Sequence, residues 1–257
     1  MEIMKYFIKR KSENIKKAAF GSALLVVSAF AMYTAPAFAD TQESATAMKS
    51  EKGGKTDKTG KEEGKEFTAR KVFENLKSSS LEMLPKTTRL DMLDYWDVDS
   101  TYKALNVMEG LSWLEAVTPT YLKVRITAVS SLEIKILPAK KGDLAMTIYT
   151  VGDDVQAQDS QVSFYDENLN ELPADKYFVM PQVKDFFDIP KGSATKMKEI
   201  EEMIPFPTIA LSANPDNTEV EARLTVEKFI NEDDWNIAKL FVKPYIKLEW
   251  KKDKYKY

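Results

Sequence analysis

The sequence predicts an α+β fold in which helices pack on one face of antiparallel sheets. Between Pro119 and Asp166, apolar and polar residues alternate over several short runs, and brief breaks separate the runs. Such alternation is typical of strands with one buried and one solvated face, and the short breaks favour hairpins. Helix-like spacings lie before and after these runs, and separate blocks of helices and strands are the pattern of α+β proteins.

The first 39 residues have the three parts of a cleavable signal peptide. Six basic residues fall within 1–17, an apolar run spans 18–32, and Ala37-Phe38-Ala39 provides an A-x-A site. The apolar run is short for a membrane span of about 20 residues, although an uncleaved anchor is the alternative interpretation. We expect cleavage after Ala39, which leaves Asp40 as the N-terminus and no integral membrane span.

Residues 40–66 contain few apolar side chains. Lysines recur at every third position from Lys49 to Lys61, and four of the nine glycines of the chain fall here. A segment of this composition buries too little apolar surface to offset the entropy of ordering it. The sequence therefore predicts a disordered tether, which is either a spacer to a partner or a solvated leader.

The folded part is expected to open with two helices. Apolar residues from Val72 to Leu84 recur at helical spacing as far as Pro85. Thr88 and Asp91 then resemble a capping box at the start of a short second helix. The segment 97–119 gives no clear pattern, and its apolar residues are expected to cover the sheet.

The remaining elements follow from the same patterns. Alternation predicts strands at 122–127, 132–136, 144–148, 162–164, 209–213, 220–226 and 246–250. Ser193 is expected to cap a helix that Pro205 ends, and Asp233 or Asp234 to cap another short helix. The order helix, strands, helix, strands also fits two related halves, at 67–173 and 174–257.

Composition excludes several classes of function. The chain has no cysteine and no histidine, which rules out a Ser-His-Asp triad, a Cys-His pair and the usual zinc sites. Removal of the signal peptide takes six basic and two acidic residues from the 37 and 40 of the whole chain, so the net charge falls from −3 to −7. An acidic body argues against nucleic-acid binding, and no cofactor motif is present.

The densest group of carboxylates marks a candidate surface. It comprises four acidic residues with two aromatic neighbours: Asp91, Asp94, Tyr95, Trp96, Asp97 and Asp99. Two facing carboxylates can hydrolyse a glycosidic bond, and aspartates can bind calcium. Acidic residues around a short helix are more commonly helix caps and solvated charges.

Two further patterns bear on function. Ser100 to Lys103 and Ser193 to Lys196 both match the S-x-x-K motif of penicillin-binding proteins. In those proteins a K-T-G motif comes last, whereas here the K-T-G of Lys58 to Gly60 comes first in the chain. Tryptophans and tyrosines near the C-terminus could line a groove. The phase of Trp250 with its strand predicts a core position, and the terminal tyrosines are expected to be exposed.

Three segments carry a family resemblance: Arg89 to Tyr95, Ser131 to Pro138 and Asp159 to Tyr165. With them the chain is similar, from about Val72 onward, to secreted Bacteroidales proteins of domain of unknown function 3256. The resemblance implies an envelope location and assigns neither an activity nor functional residues.

The sequence therefore favours a non-enzymatic periplasmic or secreted module of a Gram-negative cell envelope. Its expected partner is an envelope protein or polysaccharide, bound through a sheet face or edge. A carboxylate-dependent glycan hydrolase that uses Asp91, Asp94, Asp97 and Asp99 is the alternative hypothesis.

Overall fold

The structure, a computed structural model, describes residues 66–153, 157–190, 194–204 and 206–257. The predicted signal peptide, nearly all of the predicted tether and the expected helix cap Ser193 lie outside these residues. Within the described part of the chain, no helix is long and apolar enough to cross a membrane.

The first sheet is an antiparallel meander of seven strands in chain order. Its strands are β1 (Ala104–Leu105), β2 (Leu111–Val117), β3 (Tyr121–Thr127), β4 (Ser130–Leu137), β5 (Leu144–Val151), β6 (Asp159–Tyr165) and β7 (Glu171–Leu172). The alternating runs of the sequence are confirmed as β3 to β6. Within the segment 97–119, the expectation of a cover over the sheet is wrong, because β1 and β2 are themselves strands of the sheet.

Two helices cover one face of this sheet. They are α1 (Ala69–Asn75) and α2 (Lys86–Trp96), with a 3₁₀ turn at Ser79–Leu81 between them. Val72, Phe73 and Met92 of the helices pack against Val124 and Ile134 of the sheet in one buried cluster. The regular spacing from Val72 to Leu84 predicted one helix, but α1 ends at Asn75 and the 3₁₀ turn follows it.

The expected capping box of the second helix is also wrong. Helix α2 begins at Lys86 with Pro85 at its N-cap position, and no side chain caps it. Proline supplies the φ angle that a helix start needs and lacks only a donor that the first turn does not use.

A second antiparallel sheet covers the opposite face of the first. Its strands are β8 (Ile209–Ala213), β9 (Val220–Leu224), β10 (Ile246–Trp250) and β11 (Tyr255–Lys256), and their order is β11-β10-β9-β8. Helices α3 (Ala194–Met203) and α4 (Glu232–Ala238) and 3₁₀ turns at Ala174–Lys176, Val183–Phe186 and Val226–Lys228 complete this part. Asn231 caps α4, which corrects the expected cap at Asp233 or Asp234.

Strand β4 is buried on both of its faces. All eight residues from Ser130 to Leu137 are buried, including Glu133 and Lys135. The sequence predicted one solvated face, because the charged residues Glu133 and Lys135 alternate with Leu132, Ile134 and Ile136. That prediction is wrong for β4, and also for β5, where Ala145 and Thr147 are buried between buried Leu144, Met146 and Ile148; the second sheet packs against both strands.

Strand β8 is an edge strand whose outer N–H groups are bonded to side chains. The backbone N–H groups of Ile209, Leu211 and Ala213 donate to Asp159 at 3.2 Å, Ser160 at 2.9 Å and Glu133 at 2.8 Å, respectively. Unpaired strand edges invite further strands, and proteins cover them in various ways. Side chains of the first sheet cover this edge.

Candidate functional site

The structure places the predicted acidic surface at the C-terminal end of α2. Asp91, Asp94, Tyr95, Asp97 and Asp99 are exposed there, and Trp96 is partly buried against the helix-side core. Tyr95 stacks on Tyr102, with ring centroids 4.2 Å apart. The six residues therefore lie along the C-terminal half of α2 and in the turn that follows it.

Two of these carboxylates have structural partners. Asp97 receives two hydrogen bonds from the Arg70 guanidinium, at 2.6 and 3.2 Å, and these bonds lower the pKa of its carboxyl group. Asp99 accepts from the hydroxyl and the backbone N–H of Thr101, and these bonds also lower its pKa. The Arg70–Asp97 contact joins α1 to the end of α2, and the Asp99–Thr101 bonds hold the turn after α2, so both carboxylates have structural roles.

The geometry gives no support to a metal or hydrolytic site at this end of the helix. Among the residues that the structure describes, no group of three or more Asp or Glu side chains is arranged to hold a metal ion. A hydrolase needs its carboxylates in a concave site. A cleft of about 400 Å³ lies between α1 and α2, and none of the predicted acidic residues lines it.

The aromatic residues near the C-terminus pack mainly inward. Trp250 is partly buried against the core, its ring lies 6.3 Å from that of Phe164, and its indole N–H donates to the carbonyl of Pro138. Tyr257 is exposed, as expected. Tyr255 is buried, which corrects the expectation for the terminal tyrosines, because β11 pairs with β10 and brings this ring over the second sheet.

An exposed apolar surface lies on the hairpin of β1 and β2. Leu105 and Leu111 face each other across the two strands, and Val107 and Met108 form the tip. Leu105 is 63% exposed, Leu111 50%, Val107 57% and Met108 74%. Exposed apolar side chains that cluster in this way mark interaction sites more often than scattered ones do. We call these four residues the hairpin surface.

Asn106 holds the hairpin surface in one conformation. Its buried side chain accepts from the N–H groups of Met108 and Gly110 at 3.0 and 3.1 Å, and donates to the carbonyl of Ile126 at 3.0 Å. Its backbone N–H bonds to the carbonyl of Gly110, which closes the hairpin. A rigid tip loses little conformational entropy on binding.

The hairpin surface continues into a charged part of the same sheet face. Trp113 lies beyond Leu111 on this face, and the ammonium of Lys103 sits 4.8 Å from its ring centroid. On β2 and β3, Glu115 pairs with Lys123 at 3.4 Å and with Arg125 at 3.1 Å. These side chains keep partial exposure, because the second sheet packs against β4, β5 and β6.

Sequence reasoning missed the hairpin surface. The residues from Leu105 to Leu111 show neither a clear alternation nor a helical spacing, so they carry no periodic signal. One signal was present: the Asn106 to Gly110 segment is a plausible turn with apolar residues in it, and exposed turns are normally polar.

A buried cation lies at the cleft between α1 and α2. Arg89 donates from Nη1 to the carbonyls of Phe73 and Leu76, the latter at 3.0 Å, and thereby caps the end of α1. Burial lowers the pKa of its guanidinium. Its Nε atom is buried and has no hydrogen-bond partner among the residues that the structure describes.

Comparisons with known proteins show the family and the fold. A family model described as "Protein of unknown function (DUF3256)" matches residues 65–255. No curated protein matches the chain. A solved structure, "Structure of a domain of an uncharacterized protein from Porphyromonas gingivalis W83", is 18% identical with a TM-score of 0.62, and the match covers 73% of this chain and 96% of that one. At this identity the likeness shows a shared fold.

Proposed function

Because the chain belongs to the family described as "Protein of unknown function (DUF3256)", we propose its function from its own residues. We propose a non-enzymatic, exported module that binds a protein of the cell envelope. The proposal depends on one observation, the apolar hairpin surface on a rigid turn.

The composition of the hairpin surface favours a protein partner. Leu105, Val107, Met108 and Leu111 are aliphatic or thioether side chains. Sugars stack on the faces of aromatic rings, and the ammonium of Lys103 lies over the ring of Trp113, which is on the same face of the sheet. Exposed apolar side chains gathered on one element are typical of interaction sites, and burial of one such side chain by a partner contributes about 1.5–3 kcal/mol.

The two edge strands of the second sheet are poorly suited to pairing with a strand of a partner. The outer N–H groups of β8 are taken by Asp159, Ser160 and Glu133, so an added strand would have to displace them. The edge strand β11 is short, and the backbone N–H of its Tyr255 bonds to the carbonyl of Tyr177. These bonds argue against strand addition at the second sheet, and we propose recognition through the exposed side chains of β1 and β2 instead.

Export is part of the proposal and has a direct test. The basic start, apolar run and A-x-A site of residues 1–39 support it. Mass spectrometry of the protein from the periplasm or medium should give an N-terminus at Asp40. Retention of Met1 in membrane fractions would favour the anchor instead.

The binding surface can be tested in intact cells. A photoreactive amino acid at Met108 should crosslink to a discrete envelope protein, whereas the same group at exposed Glu227, near the second sheet, should not. The double variant Leu105→Ser/Leu111→Ser should reduce the yield of the Met108 adduct at least about tenfold, because the partner can no longer bury two apolar side chains. Adducts that are equal at both positions, or that contain only polysaccharide, would count against the proposal.

A further inference from the structure

We propose that the cleft between α1 and α2 binds an oxyanion group, either a phosphate or a carboxylate. The cleft has a volume of about 400 Å³, and its lining includes Lys77, Ser78, Ser79, Pro85 and Arg89. This site is separate from the hairpin surface and does not depend on the function proposed above.

The buried Arg89 guanidinium is the first reason. Arg89 is only 6% exposed, and its Nη1 is used by two carbonyls at the end of α1. Nε has no partner among the described residues, and Nε and Nη2 form the edge of a guanidinium that pairs with an oxyanion through two parallel hydrogen bonds. A buried donor without an acceptor is costly, and an oxyanion supplies both the acceptor and the opposite charge.

The start of α2 is the second and independent reason. This helix has 11 residues, no side-chain cap at Pro85 and no acidic residue in its first turn. The N-terminus of a helix carries N–H groups without an intrahelical acceptor and a partial positive charge. No side-chain cap or first-turn acid meets this need beside Arg89, so the first-turn N–H groups are open to water or to a bound anion.

The loop at the mouth of the cleft supplies further donors. Lys77 adds a positive charge, and the hydroxyls of Ser78 and Ser79 lie on the same lining. The Ser78 hydroxyl accepts from the backbone N–H of Ser80 at 3.4 Å and shares a 2.9 Å hydrogen bond with the Ser80 hydroxyl. Two carboxylates oppose an anion here: Glu82 lines the cleft, and Glu74, whose carboxylate lies 3.7 Å from the Lys86 ammonium, also acts electrostatically on Arg89. Because the Nε atom of Arg89 is itself buried, its direct contact with a bound oxyanion requires the lining of the cleft to open.

The test uses residues 40–257 labelled with ¹⁵N and titrated separately with inorganic phosphate and sodium acetate at constant ionic strength. We expect saturable shifts, in the millimolar range, of the Lys86 to Thr88 amides and the Arg89 Nε–H resonance. Saturation with phosphate alone assigns the site to phosphate groups, and saturation with acetate to carboxylates. Shifts that grow linearly with either anion, without saturation, would overturn the proposal.

Matched variants avoid reliance on Arg89, whose loss could unfold α1. Thr87→Glu places a carboxylate in the first turn of α2 at an exposed position, and Thr195→Glu does the same at the second residue of α3. Thr87→Glu should weaken anion binding about tenfold or more, whereas Thr195→Glu should leave it within about twofold. Unchanged binding in Thr87→Glu, or equal losses in both variants, would refute a site at α2.

Discussion

Glu133 is a carboxyl group in the contact between the two sheets. It accepts from the N–H of Ala213 at 2.8 Å, and the ammonium of Lys123 lies 3.6 Å away. Burial raises the pKa of Glu133 above its ordinary value of 4.5, and these two partners offset only part of that increase. Because the pKa is higher in the folded state, the stabilisation from this group is fully present below the unfolded-state pKa. It is lost as the pH rises through the folded-state pKa.

The variant Glu133→Gln tests this sign. Glutamine does not titrate in this range, and its carbonyl oxygen can still accept from Ala213. We therefore expect the free energy of unfolding of the variant, relative to the natural protein, to increase as the pH rises from about 4.5 to neutrality. Urea denaturation at a series of pH values measures this difference. The exposed Glu171→Gln is the control, and a Glu133→Gln difference that shrinks towards neutral pH would show that the Lys123 ion pair dominates.

At the scale of one element, β8 shows how an edge strand is kept from pairing further. Its alternate N–H groups point to Asp159, Ser160 and Glu133 on the first sheet, and the Ser160 hydroxyl also bonds to Thr150 at 2.8 Å. These three bonds provide acceptors for the outer N–H groups of β8, and they also join the two sheets. The strand is therefore closed to β-augmentation as long as the sheets stay in contact.

The variant Ser160→Ala should expose this dual role. It leaves the buried N–H of Leu211 without its acceptor, so we expect a loss of about 1–3 kcal/mol in the free energy of unfolding. Denaturation measures the loss, and hydrogen exchange should be faster at the Leu211 amide. Ser212→Ala, on the exposed side of β8, should cost less than about 0.5 kcal/mol. Equal effects from the two variants would contradict the proposed bonding of the edge.

At the scale of the whole molecule, β4, β5 and β6 are the shared layer. Ile134, Ala145 and Tyr165 belong to the buried cluster on the helix side. Met146, Ile148 and Phe164 belong to the cluster on the side of the second sheet. The described residues of the two predicted halves, 67–173 and 174–257, meet in this second cluster. The idea that the halves arose by duplication stays a prediction.

The fragment 67–173 tests whether the first predicted half is stable alone. Without the second sheet, Leu144, Met146, Ile148 and Phe164 would face water. The loss of their burial, about 1.5–3 kcal/mol each, is comparable to the whole stability of a typical domain. We expect the fragment to bind a hydrophobic dye and to unfold without a cooperative transition, unlike 67–257. A sharp transition and a dispersed NMR spectrum from the fragment would show independent halves.

The sequence by itself determined the fold class, the central strands and the absence of histidine and cysteine chemistry. Alternation in β3, β5 and β6 is a local property, because each residue faces one side of its own strand. The spacing of Asp91 and Asp94 likewise indicated that both lie on one side of a helix, and both are exposed on α2.

Only the tertiary structure decided which faces are covered and which are open. Lys135 looks solvated in the sequence, yet it is buried and bonds to the carbonyl of Pro215, 80 residues away. Leu105 and Met108 look like core residues, yet they are exposed on a hairpin held by Asn106. The physical reason is that burial depends on what packs over a face, and segments distant in the chain supply that cover.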